Sequence, residues 1–177
     1  HVASSSSNYA EFSLHTTTAL QQLTGATAAE RAANGRNWVF LMNHDRDLMA
    51  VKRVCDSNRT EVHTLSARSQ YQRFSRTAAT ALQRTDCEPF TFAVRDNDDL
   101  VAMKMQATGS GAVEVHVLSS CDNYAKFGQQ TATKLVLPTP TVPTAAEGVE
   151  CCVRQFRIVM CRTTGDAVCV RCPSASD

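Results

Sequence analysis

Eight cysteines are the residues most able to do chemistry in this chain of 177 residues. Cys169 and Cys172 have the spacing of a redox-active pair, and with the cysteines that precede them they form a set that suits a zinc ion. Neither use is favoured, because no strand–helix pattern flanks the pair and no second close pair completes a zinc ribbon. An even number of cysteines instead favours disulfide bonds in an oxidising compartment. The cysteines are Cys55, Cys87, Cys121, Cys151, Cys152, Cys161, Cys169 and Cys172.

The local residue combinations that carry enzyme catalysis are missing from the sequence. It contains no nucleophile elbow, no His-Glu-x-x-His motif and no phosphate-binding loop, and its histidines show no metal-ligand spacing. We therefore expect a binding protein rather than an enzyme, with no cofactor and no metal.

Charged residues among apolar neighbours are candidate anchors for a ligand. Arg73, Lys104 and His116 offer a counter-charge to a carboxylate-bearing lipid. A solvated outward face is the more common role for each of them. The aspartates among the acidic candidates are first of all typical of a hairpin turn. The acidic residues that suit a protonated amine are Glu61, Asp96, Asp98, Asp99 and Glu114.

Large apolar side chains on the predicted strands are candidates for a pocket wall. In a barrel that holds one ligand, core and pocket wall are the same surface, so the two roles merge. The alternation does not fix which face points inward. Beside the three charged candidates, the predicted ligand-binding residues are Trp38, Phe40, Tyr71, Phe74, Phe92 and Met103.

Hydrophobic periodicity predicts a series of short strands. Alternation of apolar and polar residues is typical of strands with one buried face, and residues 38–42 are apolar on both faces. A polar turn is predicted at 95–99 and a glycine-containing hairpin turn at 108–111. Strands are predicted over 38–42, 62–67, 70–77, 90–94, 100–105, 113–117 and 134–137.

The order of these elements predicts the fold class. Helical spacing predicts an N-terminal helix over residues 9–23 and a C-terminal helix over 153–160. Closing a strand meander removes exposed sheet edges, so we predict a mainly β fold, an eight-stranded antiparallel barrel with the helices packed outside. We expect a single domain over 1–177, with a disordered Ser-rich segment at 1–8 and a Pro/Thr-rich loop at 138–148.

Composition bounds the partners and the compartment. A formal charge of +1 leaves no field to gather nucleic acid or an anionic membrane, and no apolar run approaches the ~18 residues of a membrane span. Asn58 opens a glycosylation triplet, and the chain begins at His1 without Met, as a mature secreted protein does. Together with the cysteines, these features predict a secreted, extracellular protein.

Four segments carry a resemblance to a known family. They are Asn37-Trp38-Val39-Phe40-Leu41 followed by Cys55, Phe90-Thr91-Phe92, Cys121-Asp122-Asn123 with Lys134-Leu135-Val136, and Glu150-Cys151-Cys152 with Arg154-Gln155. Together they resemble the tick salivary lipocalins, the histamine-binding and soft-tick lipocalin family of secreted barrels that scavenge host mediators at a bite. The resemblance covers about residues 35–160 and implies a lipocalin-like barrel.

The resemblance also implies a disulfide pattern. It pairs Cys55 with the C-terminal tail, preferably at Cys172. It ties Cys121 to the C-terminal helix through Cys152, with Cys151 as the alternative. The remaining cysteines have no counterpart in the family pattern.

The third segment bears on the ligand. In family members that bind histamine or serotonin it reads Cys-Asp-aliphatic, then Glu-Leu-aromatic, whereas Asn123, Lys134 and Val136 depart from that pattern here. The lost acid is the natural partner of an ammonium group. An eicosanoid such as a leukotriene is therefore favoured over a biogenic amine, and the expected function is sequestration of a small host inflammatory or haemostatic mediator.

The alternative is a protein-interaction inhibitor that blocks a host defence protein of complement or coagulation with its outer surface. The loop at 138–146 and the long segment after Cys161 are where such a surface is expected.

Overall fold

The described part of the chain is mainly β, which confirms the predicted class. The computed structural model describes residues 2–3, 5–8, 10–14, 17–20, 27, 37–53, 57–85, 90–104, 112–136, 156–161, 164 and 166–171. Strands β1 to β12 are Val2–Ala3, Phe12–Leu14, Trp38–Met42, Leu48–Lys52, Arg59–Leu65, Phe74–Gln83, Phe90–Val94, Leu100–Lys104, Ala112–Leu118, Phe127–Val136, Phe156–Met160 and Ala167–Arg171. Short 3-10 helices occupy Ser5–Ser7 and Ala67–Ser69. No helix within these residues is long and apolar enough to cross a bilayer.

Eight consecutive strands form two four-stranded antiparallel sheets. The first has the order β3-β4-β5-β6 and the second the order β10-β9-β8-β7. Between β7 and β8, Asp98 adopts a left-handed φ of 66°, and the Arg95 amide donates to the Asp99 carbonyl at 3.0 Å. This geometry confirms the polar hairpin turn predicted at 95–99. Strands β1 and β2, and β11 and β12, form separate two-stranded ribbons.

Alternating apolar side chains fill the space between the two sheets. The register places Val39, Val51 and Val62 side by side on one face of the first sheet. A buried cluster joins this face to Phe92 and Leu100 of the second sheet. Burying each such side chain fully contributes roughly 1.5–3 kcal/mol, so this shared core is the main attraction between the sheets.

The two sheets form a sandwich rather than the predicted closed barrel. A closed meander would place β7 beside β6, but β7 lies near β3, and β6 lies near β9. The chain after β6 crosses the end of the first sheet, where the Arg84 amide donates to the Asn58 carbonyl at 3.1 Å and the Thr85 amide donates to the Arg53 carbonyl at 2.8 Å. This crossing delivers β7 to the opposite side, and among the described strands no ladder joins the sheets.

The predicted C-terminal helix is wrong for residues 156–160, which form β11 and pair with β12. Phe156, Val159 and Met160 do have helical spacing. A stretch this short cannot distinguish a helix from one strand of a paired ribbon.

The N-terminal helix is likewise not found among the described residues. Phe12–Leu14 forms β2 and pairs with Val2–Ala3, where the sequence predicted a helix and a disordered end. Ala19 and Leu20 lie in a turn and are buried against the first sheet. The Pro/Thr-rich loop at 138–148 lies outside the described residues.

Candidate functional site

A pocket of about 500 Å³ opens between the sheets on the side where β6 faces β9 and β10. Its size falls in the range of small-molecule sites. We call it the seam pocket. It is lined by Asn58, Ala81, Leu82, Gln83, Arg84, Phe90, Lys104, Glu114, His116, Phe127 and Gln130.

Strand register brings the polar residues of the seam pocket together. Lys104 lies opposite Glu114 across β8 and β9, and His116 lies between Ala102 of β8 and Gln130 of β10. Ala102 belongs to the shared core, so its neighbours at the same register position face the first sheet. The interior of the sandwich is therefore apolar in its middle and becomes polar at the end where these residues lie.

His116 is held in a defined orientation. Gln130 Nε2 donates to His116 Nδ1 at 3.2 Å. An accepting Nδ1 leaves the hydrogen of the neutral imidazole on Nε2, which lies 3.6 Å from Glu114 Oε2. The ring is also flanked by Phe90 and Phe127, with centroid separations of 6.1 and 5.8 Å. Polar and aromatic contacts together fix this side chain in the wall of the pocket.

The described residues that line the seam pocket carry more positive than negative charge. Arg84 and Lys104 provide two cations, whereas Glu114 is the one carboxylate among these described residues. Leu82 and Phe90 provide apolar wall beside them. This combination suits an amphipathic anion, whose head accepts charge-assisted hydrogen bonds while its tail covers apolar surface.

Two of the predicted ligand-binding residues, Lys104 and His116, meet in the seam pocket. Two others lie elsewhere on the same sheet. Phe92 is buried in the shared core, and Met103 belongs to a cluster with Val101 on the opposite face of β8. The structure therefore brings the first pair together in a pocket and places the second pair outside it, and ligand binding by all four residues stays a prediction.

The remaining predicted ligand-binding residues lie on the outer side of the first sheet. Trp38 and Phe74 pack on either side of His63, at ring-centroid separations of 5.4 and 5.9 Å. Tyr71 packs against the same cluster, and its hydroxyl donates to the Arg46 carbonyl at 3.1 Å. The structure also places two of the predicted residues in solvent, namely Phe40 and Arg73.

The lining residues that were not predicted from sequence include Phe127, Gln130 and Arg84. Phe127 and Gln130 belong to β10, which begins well before the strand predicted at 134–137. The stretch after Phe127 is polar on both faces, so alternation gave no signal there. Arg84 follows β6 and lies in the crossing segment, which has no periodic pattern.

The acidic candidates for amine binding are dispersed. Asp99 Oδ1 accepts from the Ser120 amide at 2.8 Å, and its Oδ2 accepts from Asn97 Nδ2 at 2.8 Å. This carboxylate therefore links the turn at 95–99 to the turn that follows β9. Burial raises the pKa of the Asp98 carboxyl, while a hydrogen bond from Asn43 opposes that rise. Asp98 lines a second cavity of about 220 Å³ at the turn end, with Asn43, Asp47, Met49, Thr64, Ser75, Arg76 and Tyr124. Asp96 is exposed, and Glu61 contacts His63.

The predicted disulfide pairings remain predictions. Cys121 is exposed in the turn before β10 and has no disulfide partner among the described residues, while its predicted partners Cys151 and Cys152 lie outside them. Cys55 and Cys172, which form the other predicted pair, also lie outside the described residues. Within the described ranges no group of three acidic, histidine or cysteine side chains is arranged to hold a metal ion.

Comparisons of the chain with protein-family models, curated proteins and solved structures find no match to it. The geometry of the seam pocket and the residues that line it are therefore the main indication of function.

Proposed function

We propose that this chain is a secreted scavenger that sequesters a small host inflammatory or haemostatic mediator in the seam pocket. The observation that carries the proposal is the pairing of two cations, Arg84 and Lys104, with apolar and aromatic wall in one cavity between the sheets. The segments that resemble tick salivary lipocalins point to the same role. Scavenging is stoichiometric, because binding lowers the free concentration of the mediator without transforming it.

The favoured ligand is an amphipathic anion of the eicosanoid type rather than histamine or serotonin. Its carboxylate accepts hydrogen bonds from Lys104 and Arg84, and its hydroxyl groups face His116 and Gln130. Its hydrocarbon chain lies against Phe90 and its neighbours. A protonated amine finds a single carboxylate among the described lining residues, beside two like charges that oppose it.

Titration with cis-parinaric acid, a fluorescent carboxylate lipid, tests this proposal. We expect one-to-one binding, weakened about tenfold or more by Lys104→Met, because a charge-assisted hydrogen bond contributes roughly 1.5–3 kcal/mol. Lys126→Met is the matched control, since Lys126 pairs with Asp122 at 2.9 Å outside the pocket. Unchanged affinity in the Lys104 variant, or tighter binding of histamine than of the lipid, would contradict the assignment.

Exposed apolar residues support a second candidate, an inhibitor that blocks a host defence protein of complement or coagulation. Phe40 and Met42 are 51% and 42% exposed on β3, and the cross-strand pair Val159 and Val168 is 58% and 50% exposed. Replacing Phe40 and Met42 with Ser distinguishes the candidates. Loss of clotting or complement inhibition with unchanged parinarate affinity would favour the surface, and the opposite result would favour the pocket.

A further inference from the structure

Asn58 stands at the edge of the seam pocket in a position open to modification. It opens the one Asn-x-Ser/Thr triplet of the sequence, Asn58-Arg59-Thr60. The residue is exposed in the turn before β5, with a left-handed φ of 59°. Its Oδ1 accepts from Arg84 Nη1 at 3.4 Å, and its Nδ2 makes no hydrogen bond within the part of the chain that the structure describes. The attachment atom for a glycan therefore borders the pocket and is unengaged there.

We propose that Asn58 carries an N-linked glycan that covers the mouth of the seam pocket and slows the passage of ligands through it. The inference rests on the proposed function, since it assumes a secreted protein whose ligand uses this pocket. In the attachment step a bond forms between Asn58 Nδ2 and the anomeric carbon of a lipid-linked oligosaccharide. The bond from that carbon to the pyrophosphate oxygen breaks, the amide loses one proton, and the lipid pyrophosphate leaves.

The position of Thr60 requires that the glycan be attached before the chain folds. The Thr60 side chain is fully buried, and its Oγ1 donates to the Gln83 carbonyl at 3.0 Å. The hydroxyl that the glycosyl transfer requires is therefore hidden once β5 and β6 have paired, so the glycan is added to the unfolded chain. Loss of this hydroxyl would leave a buried acceptor unpaired, which makes Asn58→Gln the cleaner way to remove the site.

The location of the glycan determines what it changes. Asn58 and Arg84 lie at the rim, whereas the ring of His116 is packed among aromatic side chains and only 15% of its side chain is exposed. A glycan at the rim slows both the entry and the exit of the ligand without contacting the residues in the wall of the pocket. We therefore expect association and dissociation rates to fall together, by about tenfold, while the equilibrium affinity changes little.

The test uses the full chain secreted from a eukaryotic host, compared with a sample trimmed by an endoglycosidase to one sugar on Asn58. Peptide mass spectrometry should find Asn58 occupied, and stopped-flow mixing with cis-parinaric acid should give slower rates for the untrimmed protein. Reaction of His116 with diethyl pyrocarbonate should also be slower before trimming. Exposed His44, at the turn between β3 and β4, should react at the same rate in both samples.

A relocated glycan is the matched control. Asn58→Gln combined with Ala125→Thr moves the triplet to exposed Asn123 in the turn before β10, which is not among the residues that line the seam pocket. This variant should show the fast rates of the trimmed protein. An unmodified Asn58, or His116 rates that trimming leaves unchanged, would overturn the inference. Absence of parinarate binding in every sample would overturn the proposed function instead, and the His116 rates would still decide whether the mouth is covered.

Discussion

His63 is a buried imidazole on the outer side of the first sheet. It is 4% exposed, and its Nε2 lies 3.3 Å from Glu61 Oε2. Its Nδ1 has no hydrogen-bond partner among the described residues. Burial lowers the pKa of His63, and the hydrogen bond to Glu61 only partly opposes this. A cation between the rings of Trp38 and Phe74 would lose most of its hydration, so folding disfavours the protonated form of this group.

This environment makes stability depend on pH. The folded pKa lies below the unfolded value of about 6.5, so as the pH falls the unfolded chain takes up the proton first, and the free energy of unfolding decreases by up to about 1.4 kcal/mol per pH unit until the folded pKa is reached. We expect His63→Gln to flatten this slope in urea titrations between about pH 5 and pH 8. His44→Gln, which removes an exposed imidazole, serves as the control. A variant slope equal to that of the parent would contradict the role of His63.

Arg53 joins the crossing segment to the second sheet. Its guanidinium donates to the Thr85 carbonyl at 3.3 Å and to the Phe90 carbonyl at 3.2 Å, and it lies over the Phe92 ring at 5.5 Å. Lysine cannot reproduce this planar fork, so we expect Arg53→Lys to lower the free energy of unfolding by about 1–3 kcal/mol. Arg73→Lys, at an exposed position before β6, should change it by less than about 0.5 kcal/mol. Equal effects in chemical denaturation would show that the fork contributes nothing.

Among the elements, the short apolar strands were predictable from sequence, but their inward faces were not. Residues 90–94 and 100–104 are mostly apolar segments on either side of the polar turn, and they form β7 and β8. On β3 both faces are apolar, so Trp38 and Val39 were equally good candidates for the interior. The register assigns Val39 to the shared core and Trp38 to the outer cluster. Only the position of the second sheet makes that choice, and no single strand encodes it.

At the scale of the whole molecule, single strands specify neither the choice between a barrel and a sandwich nor the position of the seam pocket. A strand meander is compatible with a barrel and with a sandwich, and the path of the few residues after β6 decides between them. The bonds of Arg84 and Thr85 to the first sheet fix that path. Lys104 and His116 were recognisable because they interrupt apolar strands, whereas Gln130 depends on long-range register. The predictable parts were therefore the apolar strands and the polar turn at 95–99, whereas the polar part of β10 and the connection after β6 were not predictable.

The shared core implies that the two sheets unfold as one unit. Leu100 lies in the second sheet with no solvent exposure, while the single tryptophan, Trp38, lies in the first. We expect Leu100→Ala to lower the free energy of unfolding by about 2–5 kcal/mol through lost burial and the cavity left behind. Because the core contacts both sheets, the Trp38 fluorescence transition and the far-ultraviolet circular dichroism transition should shift together.

Shortening an apolar side chain at the surface separates the loss of core packing in Leu100→Ala from a general effect of side-chain truncation. Val168→Ala removes an apolar side chain that is half exposed on β12, and it should change stability by less than about 0.5 kcal/mol. Independent sheets would behave differently from a single unit. In Leu100→Ala the Trp38 transition would then keep the parent midpoint while circular dichroism became biphasic. Coincident transitions would show that the seam pocket lies between two sheets that separate only when the whole sandwich unfolds.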